Sequence, residues 1–337
     1  MSSAASRHGQ LRNHGHRYMT IAWVLGSGGL LGGALCRALR RDGIELFFPA
    51  ERFYWADGLV LDGQLAVAAQ AFASRFSADE PWQIYWAAGV GTMGSAHDAL
   101  AAETHALRQL LQLLEAEPRL KLAPGAIALA SSAGAIYAGV KDAVITEHTP
   151  PAPTTAYARE KLLQEDLIRA FALANQRTTA LLARISTIYG PGQATGKQQG
   201  LLTHIARRIL RNQTIQIYVP YDTIRDYIAV DDAATAIVSS LTITSRNPCA
   251  IVKIVASETP TTIAEIVSIF KRIARRAPRI VTSASKLSAL YSRRVQFRSV
   301  TLPECARTPT KSLLVGIAQL MTDERAAFAK GSGAKAK

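Results

Sequence analysis

Along the chain, short apolar runs alternate with longer stretches in which apolar residues recur every three or four positions. The runs Ile21–Leu25, Ile44–Phe48, Trp82–Ala87, Ala126–Ala130 and Ala180–Ile185 predict strands, and the segments between them predict helices. The strand runs are almost continuously apolar instead of alternating, which is the signature of strands covered on both faces. The expected fold is therefore α/β: a doubly wound parallel sheet, with a smaller C-terminal lobe. After Gly190 the rhythm is lost, and helical Leu201–Leu210, strand-like Ile215–Val219 and a basic helix Ile263–Arg276 predict that lobe in several pieces. We expect a first domain over residues 19–190 plus about 226–256, and a substrate lobe over about 191–225 plus 257–328. The polar, basic residues 1–18 fit neither a signal peptide nor a helix with a buried face, and they and residues 329–337 are expected to be disordered.

Composition adds boundaries. With 48% hydrophobic and 19% charged residues in 337, the chain can bury an ordinary core. Three cysteines are too few for a disulfide framework, so a reducing, cytoplasmic setting is expected. The excess of 39 Lys and Arg over 25 Asp and Glu, +14, favours anionic small molecules or nucleic acid. The longest uncharged stretch, Leu122 to Val140, is broken by Pro124 and several glycines and serines, so no membrane span is expected.

The first chemical signal follows the first strand. Gly26, Gly29 and Gly32 stand in GxxGxxG spacing, with Gly28, Leu30 and Leu31 completing the loop and opening a helix over Leu31–Arg40. Such a loop turns tightly, lets backbone N–H groups approach a pyrophosphate, and places a helix N-terminus against it, so these six residues are candidate binders of NAD or NADP on a Rossmann-type sheet. At the end of the second strand, where an acid would bond the ribose hydroxyls of NAD, the chain has Ala50, followed by Glu51 and Arg52. The missing acid and the candidate Arg52 lean toward the 2′-phosphate of NADP, while Glu51 leaves NAD open.

The second signal is Tyr157 and Lys161, four apart at the start of a helical run and thus on one helix face. A neighbouring cation favours the phenolate and makes tyrosine a usable acid/base. Ser132 ends an apolar strand upstream, from where its hydroxyl could hydrogen-bond a developing oxyanion beside the phenol.

In order along the chain, these blocks resemble the extended short-chain dehydrogenase/reductases, the NAD-dependent epimerase/dehydratases. The glycine loop, Ile84 to Gly89, Ser131 to Tyr137, Glu147 through Pro153, and Tyr157 with Lys161 all match. Arg184 to Gln193 is similar to the family's LRxxNVYGPGQ, Arg225 to Asp232 to its RDFIHVDD, and Pro309 to Ile317 to its PxxxLxxGI. The resemblance implies hydride transfer to or from a nicotinamide, with Tyr157 as acid/base, Lys161 lowering its pKa and holding the ribose, and Ser132 orienting the reacting oxygen. It also implies that Ala87, Ala88 and Gly89 line the cofactor and that Thr187 and Arg225 face a sugar-like, anionic substrate. A homodimer through His97–Glu115 and Tyr157–Leu173 is expected from it, and no metal.

Departures from the pattern keep alternatives open. Counting forward to Tyr157 assigns the catalytic hydroxyl to Ser132, while counting back from Tyr137 lands on Ala133. Thr187 stands for the family's Asn and Ala229 for its His, which separates this chain from the usual nucleotide-sugar pattern. Ala133-Gly134 replace the acidic pair of the dehydratases, which disfavours dehydration. An epimerase and an NADPH-dependent carbonyl reductase both fit. The basic run Lys271 to Arg279, with Arg293 and Arg294, raises a non-catalytic regulator or nucleic-acid binder; scarce aromatics there and the retained Tyr157 and Lys161 argue against it.

Overall fold

A computed structural model describes residues 20–77, 80–193, 200–245, 249–275, 278–283, 294–303 and 310–333. The N-terminal arm 1–18, residues 334–337, Arg276, Arg293 and Pro309 lie outside the described residues.

The elements run β1 (Ile21–Leu25), α1 (Leu30–Arg41), β2 (Glu45–Phe47), α2 (Gly58–Ala73), β3 (Trp82–Trp86), α3 (His97–Ala116), α4 (Pro118–Leu122), β4 (Gly125–Ser132), α5 (Ala133–Ile136), α6 (Ala156–Ala174) and β5 (Thr178–Ile185). They continue with β6 (Thr187–Tyr189), α7 (Leu201–Leu210), β7 (Ile215–Ile217), β8 (Ile224–Ala229), α8 (Val230–Thr244), β9 (Ala250–Val255), β10 (Pro260–Thr262), α9 (Ile263–Ala274), β11 (Ile280–Thr282) and α10 (Leu313–Gly333).

Six parallel strands form the main sheet in the order β2-β1-β3-β4-β5-β9. Because β1, β3 and β5 are buried at every position, both faces must be covered. Leu65, Phe72, Leu107, Leu110, Ile168 and Phe171 of α2, α3 and α6 cover one face, and Leu35, Leu39, Ile237 and Leu241 of α1 and α8 cover the other. The chain leaves β1 toward β2 on one side and then returns to β3 on the other. The crevice beyond the carboxyl ends of β1 and β3 is therefore the natural ligand position of the sheet.

A second cluster joins Ile205 and Ile209 of α7, Ile215 and Ile217 of β7, Ile266 and Phe270 of α9, and Ile317, Leu320 and Met321 of α10. With it go a three-stranded sheet, β10-β8-β6, and the parallel pair β11-β7. The helix α10 runs to Gly333, beyond Ala329 where the chain is expected to leave the fold. Its Thr322–Lys330 stretch is rich in Ala, Glu, Arg and Lys, good helix formers, and Glu324 ties it to Arg207 of α7 at 2.8 Å. The basic helix ends at Ala274, two residues before expectation, where Arg275 takes a left-handed cap conformation at φ 53°.

Candidate active site

The glycine loop has little freedom. Gly26 has φ +86°, and a Cβ there would sit 2.6 Å from the Ala87 oxygen at the end of β3. A Cβ on Gly32 would collide with the Gly26 oxygen, so α1 packs against the loop only because that position is bare. Between them, Gly29 donates its N–H to the Gly26 carbonyl at 2.9 Å, while Gly28 is exposed with open space around it. The helix N-terminus at Leu30 thus opens onto the crevice with no side chain in front of it. This cradle fits a dinucleotide pyrophosphate. Ala87, Ala88 and Gly89 continue β3 into the same crevice, and Gly89 has φ +136°.

Beyond β2 the loop is pinned by Gln64 of α2, whose amide nitrogen donates to the Arg52 carbonyl at 3.1 Å and whose oxygen accepts from the Tyr54 N–H at 2.8 Å. Arg52 is exposed on it, and Arg40 stacks over the half-exposed Phe48 at 5.6 Å. The edge-to-face pair Trp55 and Trp86, with centroids 6.3 Å apart, closes the same corner, and Trp55 is a contribution that the sequence reading missed.

Ser132 is the last residue of β4, and Tyr157 and Lys161 lie in the first turns of α6, whose start is fixed by the Thr155 hydroxyl accepting the Ala158 N–H at 3.2 Å. The Ser132 side chain faces the Tyr157 phenol, close enough to oppose the rise of its pKa. Its neighbour Ser131 points the other way, donating to Glu165 at 2.7 Å, and Ala133 is fully buried at the start of α5. Of the two alignments, the geometry brings Ser132 to the phenol. Lys161 Nζ lies 5.8 Å from the centroid of the Tyr157 ring and donates to Gln164 Oε1 at 2.9 Å and to the Ala130 carbonyl at 3.4 Å.

Burial pushes the Tyr157 phenol up to about 12, with the charge of Glu103 adding to the rise and the Ser132 side chain opposing it. Burial lowers the Lys161 ammonium, and Glu103 and Glu165 hold it up. Behind the pair, Glu165 and Arg184 form a fully buried bidentate ion pair at 2.9 and 2.7 Å, and Arg184 also donates to the Tyr137 hydroxyl at 2.6 Å. This block locks β4, β5 and α6 together directly under the candidate chemistry.

Glu103, on α3, is a second residue that sequence reasoning missed; a lone acid on an amphipathic helix carries no signal. Its Oε1 accepts the N–H groups of Val90 at 2.5 Å and Gly91 at 2.6 Å.

The candidate substrate residues lie on the three-stranded sheet. Thr187 is exposed on β6, paired in register with Tyr227 of β8, and Arg225 lies two residues before Tyr227, half-buried, with Nη1 donating to the Ile224 carbonyl at 2.8 Å. The two therefore share a face of that sheet. Asp226, on the opposite face of β8, accepts from Ser186 Oγ at 2.6 Å and from Ser257 N and Oγ at 2.9 Å, and Asp231 pairs with Arg37 at 2.6 Å. Among the described residues, no helix is long and apolar enough to cross a membrane.

A model of the NAD dependent epimerase/dehydratase family matches residues 22–254. The chain belongs to that family. The family is named for NAD-dependent epimerases and dehydratases. The chain is 35% identical over 96 residues to a dTDP-L-rhamnose 4-epimerase of Burkholderia thailandensis, an alignment covering 28% of this chain and 26% of that relative. It thus matches about a quarter of that relative's length. Its fold is that of the Thermus thermophilus UDP-glucose 4-epimerase solved with NAD, at TM-score 0.75 and 18% identity over 92% of this chain and 100% of the other. RMD from Pseudomonas aeruginosa, solved with NADPH, is similar at TM-score 0.70 and 20% identity over 90% of this chain and 98% of the other.

Proposed function

We propose that this epimerase/dehydratase acts on a hydroxyl-bearing or carbonyl carbon of a sugar-like, anionic substrate, a nucleotide sugar by the names of its relatives, as an NAD(P)-dependent epimerase or oxidoreductase. The observation that carries the reading is the Ser132 side chain facing the Tyr157 phenol beside Lys161, at the crevice where the glycine loop would hold the dinucleotide. When bound, the dinucleotide supplies a nicotinamide that accepts or returns a hydride. Tyr157 carries its proton at neutral pH and gives it to the substrate oxygen in the direction of reduction; in oxidation it takes that proton back, with the Lys161 cation favouring the phenolate. Ser132 fixes the reacting oxygen against the phenol. Gly26, Gly28, Gly29, Leu30, Leu31 and Gly32 would hold the pyrophosphate, and Ala87, Ala88 and Gly89 would line the cofactor. Thr187 and Arg225 would receive the sugar and its anionic group, Arg225 by paired N–H donors.

A second reading, an NADPH-dependent carbonyl reductase, is favoured by Ala50 in the acid's place and by Arg52 and Arg40 around the loop after β2. We also assign the molecule as a homodimer through α3 and α6, which pack side by side and leave Leu163 and Leu173 of α6 exposed.

The test is incubation with dTDP- and UDP-hexoses and their 4-keto derivatives, followed by NMR of the sugar. Epimer formation with catalytic dinucleotide supports the epimerase, and stoichiometric NADPH consumption the reductase. Dinucleotide binding without turnover of any sugar would reject the substrate class.

A further inference from the structure

A lysine carries its ammonium on a flexible four-carbon stem, so an ammonium that must stay beside one phenol needs anchors. Lys161 has two: its Nζ donates to the Ala130 carbonyl at 3.4 Å and to Gln164 Oε1 at 2.9 Å. Of the three N–H donors of an ammonium, these leave one for the crevice and the Tyr157 ring, whose centroid lies 5.8 Å from Nζ. The carbonyl is fixed by the pairing of β4 with β5. The amide is not fixed by its own shape, because its oxygen and nitrogen ends are nearly the same size, and a half-turn would set an NH2 group against the ammonium. Two further groups decide which end faces Lys161. The Thr104 hydroxyl donates to Glu160 Oε2 at 2.6 Å and so spends its one proton. Its oxygen is left to accept, and takes the Gln164 amide N–H at 3.1 Å, which turns Oε1 toward Lys161. Glu160 and Lys161 stand four and three residues before Gln164 on one face of α6, and Thr104 meets them from α3, which packs against it. Lys161, Gln164 and Thr104 are all buried.

We propose that Gln164 is a positioning residue for Lys161, held by Thr104 and Glu160 in the amide orientation that receives the ammonium. This assignment rests on the roles proposed above for Tyr157 and Lys161. Every donor in the series points the same way, from ammonium through amide and hydroxyl to a carboxylate, so that each bond polarises the next. Glu165, the following residue of α6, is taken up by Arg184, Arg169 and Ser131 and makes none of these bonds. An amide that only joined two helices would be indifferent to which of its ends faced Lys161; here the carboxylate at the far end specifies it. The packing of α3 on α6 thereby reaches the lysine through a single hydroxyl.

In protein labelled with 15N-lysine, proton–nitrogen correlation below neutral pH reads the Lys161 ammonium without substrate or dinucleotide, and Lys161→Met identifies its signal. Gln164→Met keeps the side-chain length and removes the acceptor. Exchange of the ammonium protons with water is expected to speed at least about tenfold, since a hydrogen bond to a charged group is worth more than that factor. Thr104→Val frees the amide to turn and should give a smaller increase, while Thr104→Ser, which keeps the hydroxyl, should match the wild type. In turnover of a sugar, Gln164→Met should lower kcat about tenfold with KM little changed. Unchanged exchange in Gln164→Met would overturn the proposal, as would a wild-type ammonium that already exchanges too fast to be seen. If Gln164→Met does not fold, Thr104→Val decides, and failure of both to fold would overturn the proposal because the series would then serve the fold. Faster exchange in a protein inert toward every sugar would keep Gln164 as the anchor of Lys161 and reject the proposed function. Unchanged exchange in an active enzyme would do the reverse.

Discussion

The carboxyl ends of the main sheet and the face of the three-stranded sheet differ in how tightly their candidate residues are determined. At the main sheet, Gly26 and Gly32 meet backbone atoms at distances no side chain could share, Ser132 ends a fully paired strand, and Lys161 is buried in a chain of hydrogen bonds. At the three-stranded sheet, Thr187 is exposed and Arg225 half-buried, its Nη1 donating to the Ile224 carbonyl at 2.8 Å. In the proposed function, the chemistry is built into the core of the molecule and substrate recognition into a surface. The first can be read with little reference to relatives, whereas the second depends on which molecule it meets.

The comparison is most easily broken at the phenol. Tyr157→Phe is expected to lower turnover by about 10²–10⁴-fold while dinucleotide binding, followed by fluorescence titration, stays near wild type. Equal loss of binding would mean that the phenol belongs to the cradle more than to the chemistry. Next in size is the buried block beneath it. Glu165→Gln strands the Arg184 guanidinium and should cost about 3–5 kcal/mol in urea unfolding. Gly32→Ala places a methyl against the Gly26 carbonyl and should cost about 1–3 kcal/mol and weaken dinucleotide affinity with it, measured by thermal melts with and without NADPH.

On the other side of the comparison, Arg225→Ala should leave stability within about 0.5 kcal/mol and raise KM for an anionic substrate about tenfold with kcat little changed. A comparable fall in stability would show that the residue belongs to the core after all. The smallest effect is expected at Arg52→Ala, which should weaken NADPH binding about tenfold or less and leave NADH unchanged.

Much of the determined region was legible in the sequence because its constraints are local. Apolar runs buried on both faces reveal β1, β3 and β5, the glycine spacing reveals the loop, and a separation of four reveals Tyr157 and Lys161 on one helical face. Glu103 and Thr104 were not legible, since their contacts, with the Val90 and Gly91 N–H groups and with Gln164 and Glu160 of α6, arise only when α3 packs against other elements. Trp55 was missed for the same reason: it lies in the turn before α2, and its partner Trp86 comes from β3. The choice between Ser132 and Ala133 turns on a single residue of register; Ser132 is the one that faces the Tyr157 phenol, while Ser131 donates to Glu165. The extension of α10 to Gly333 shows the reverse case, where a helix already formed runs on into a segment that composition describes as a solvated tail, despite the low helix propensity of Gly331 and Gly333.

The most direct test of the account is single-turnover absorbance at 340 nm, mixing dinucleotide-loaded protein with a panel of nucleotide hexoses. Wild-type protein should develop the reduced-nicotinamide signal with at least one sugar, and Tyr157→Phe, loaded to the same extent, should develop it at least about a hundredfold more slowly. Equal rates in the two proteins would contradict the assignment of Tyr157 as the acid/base and with it the central claim.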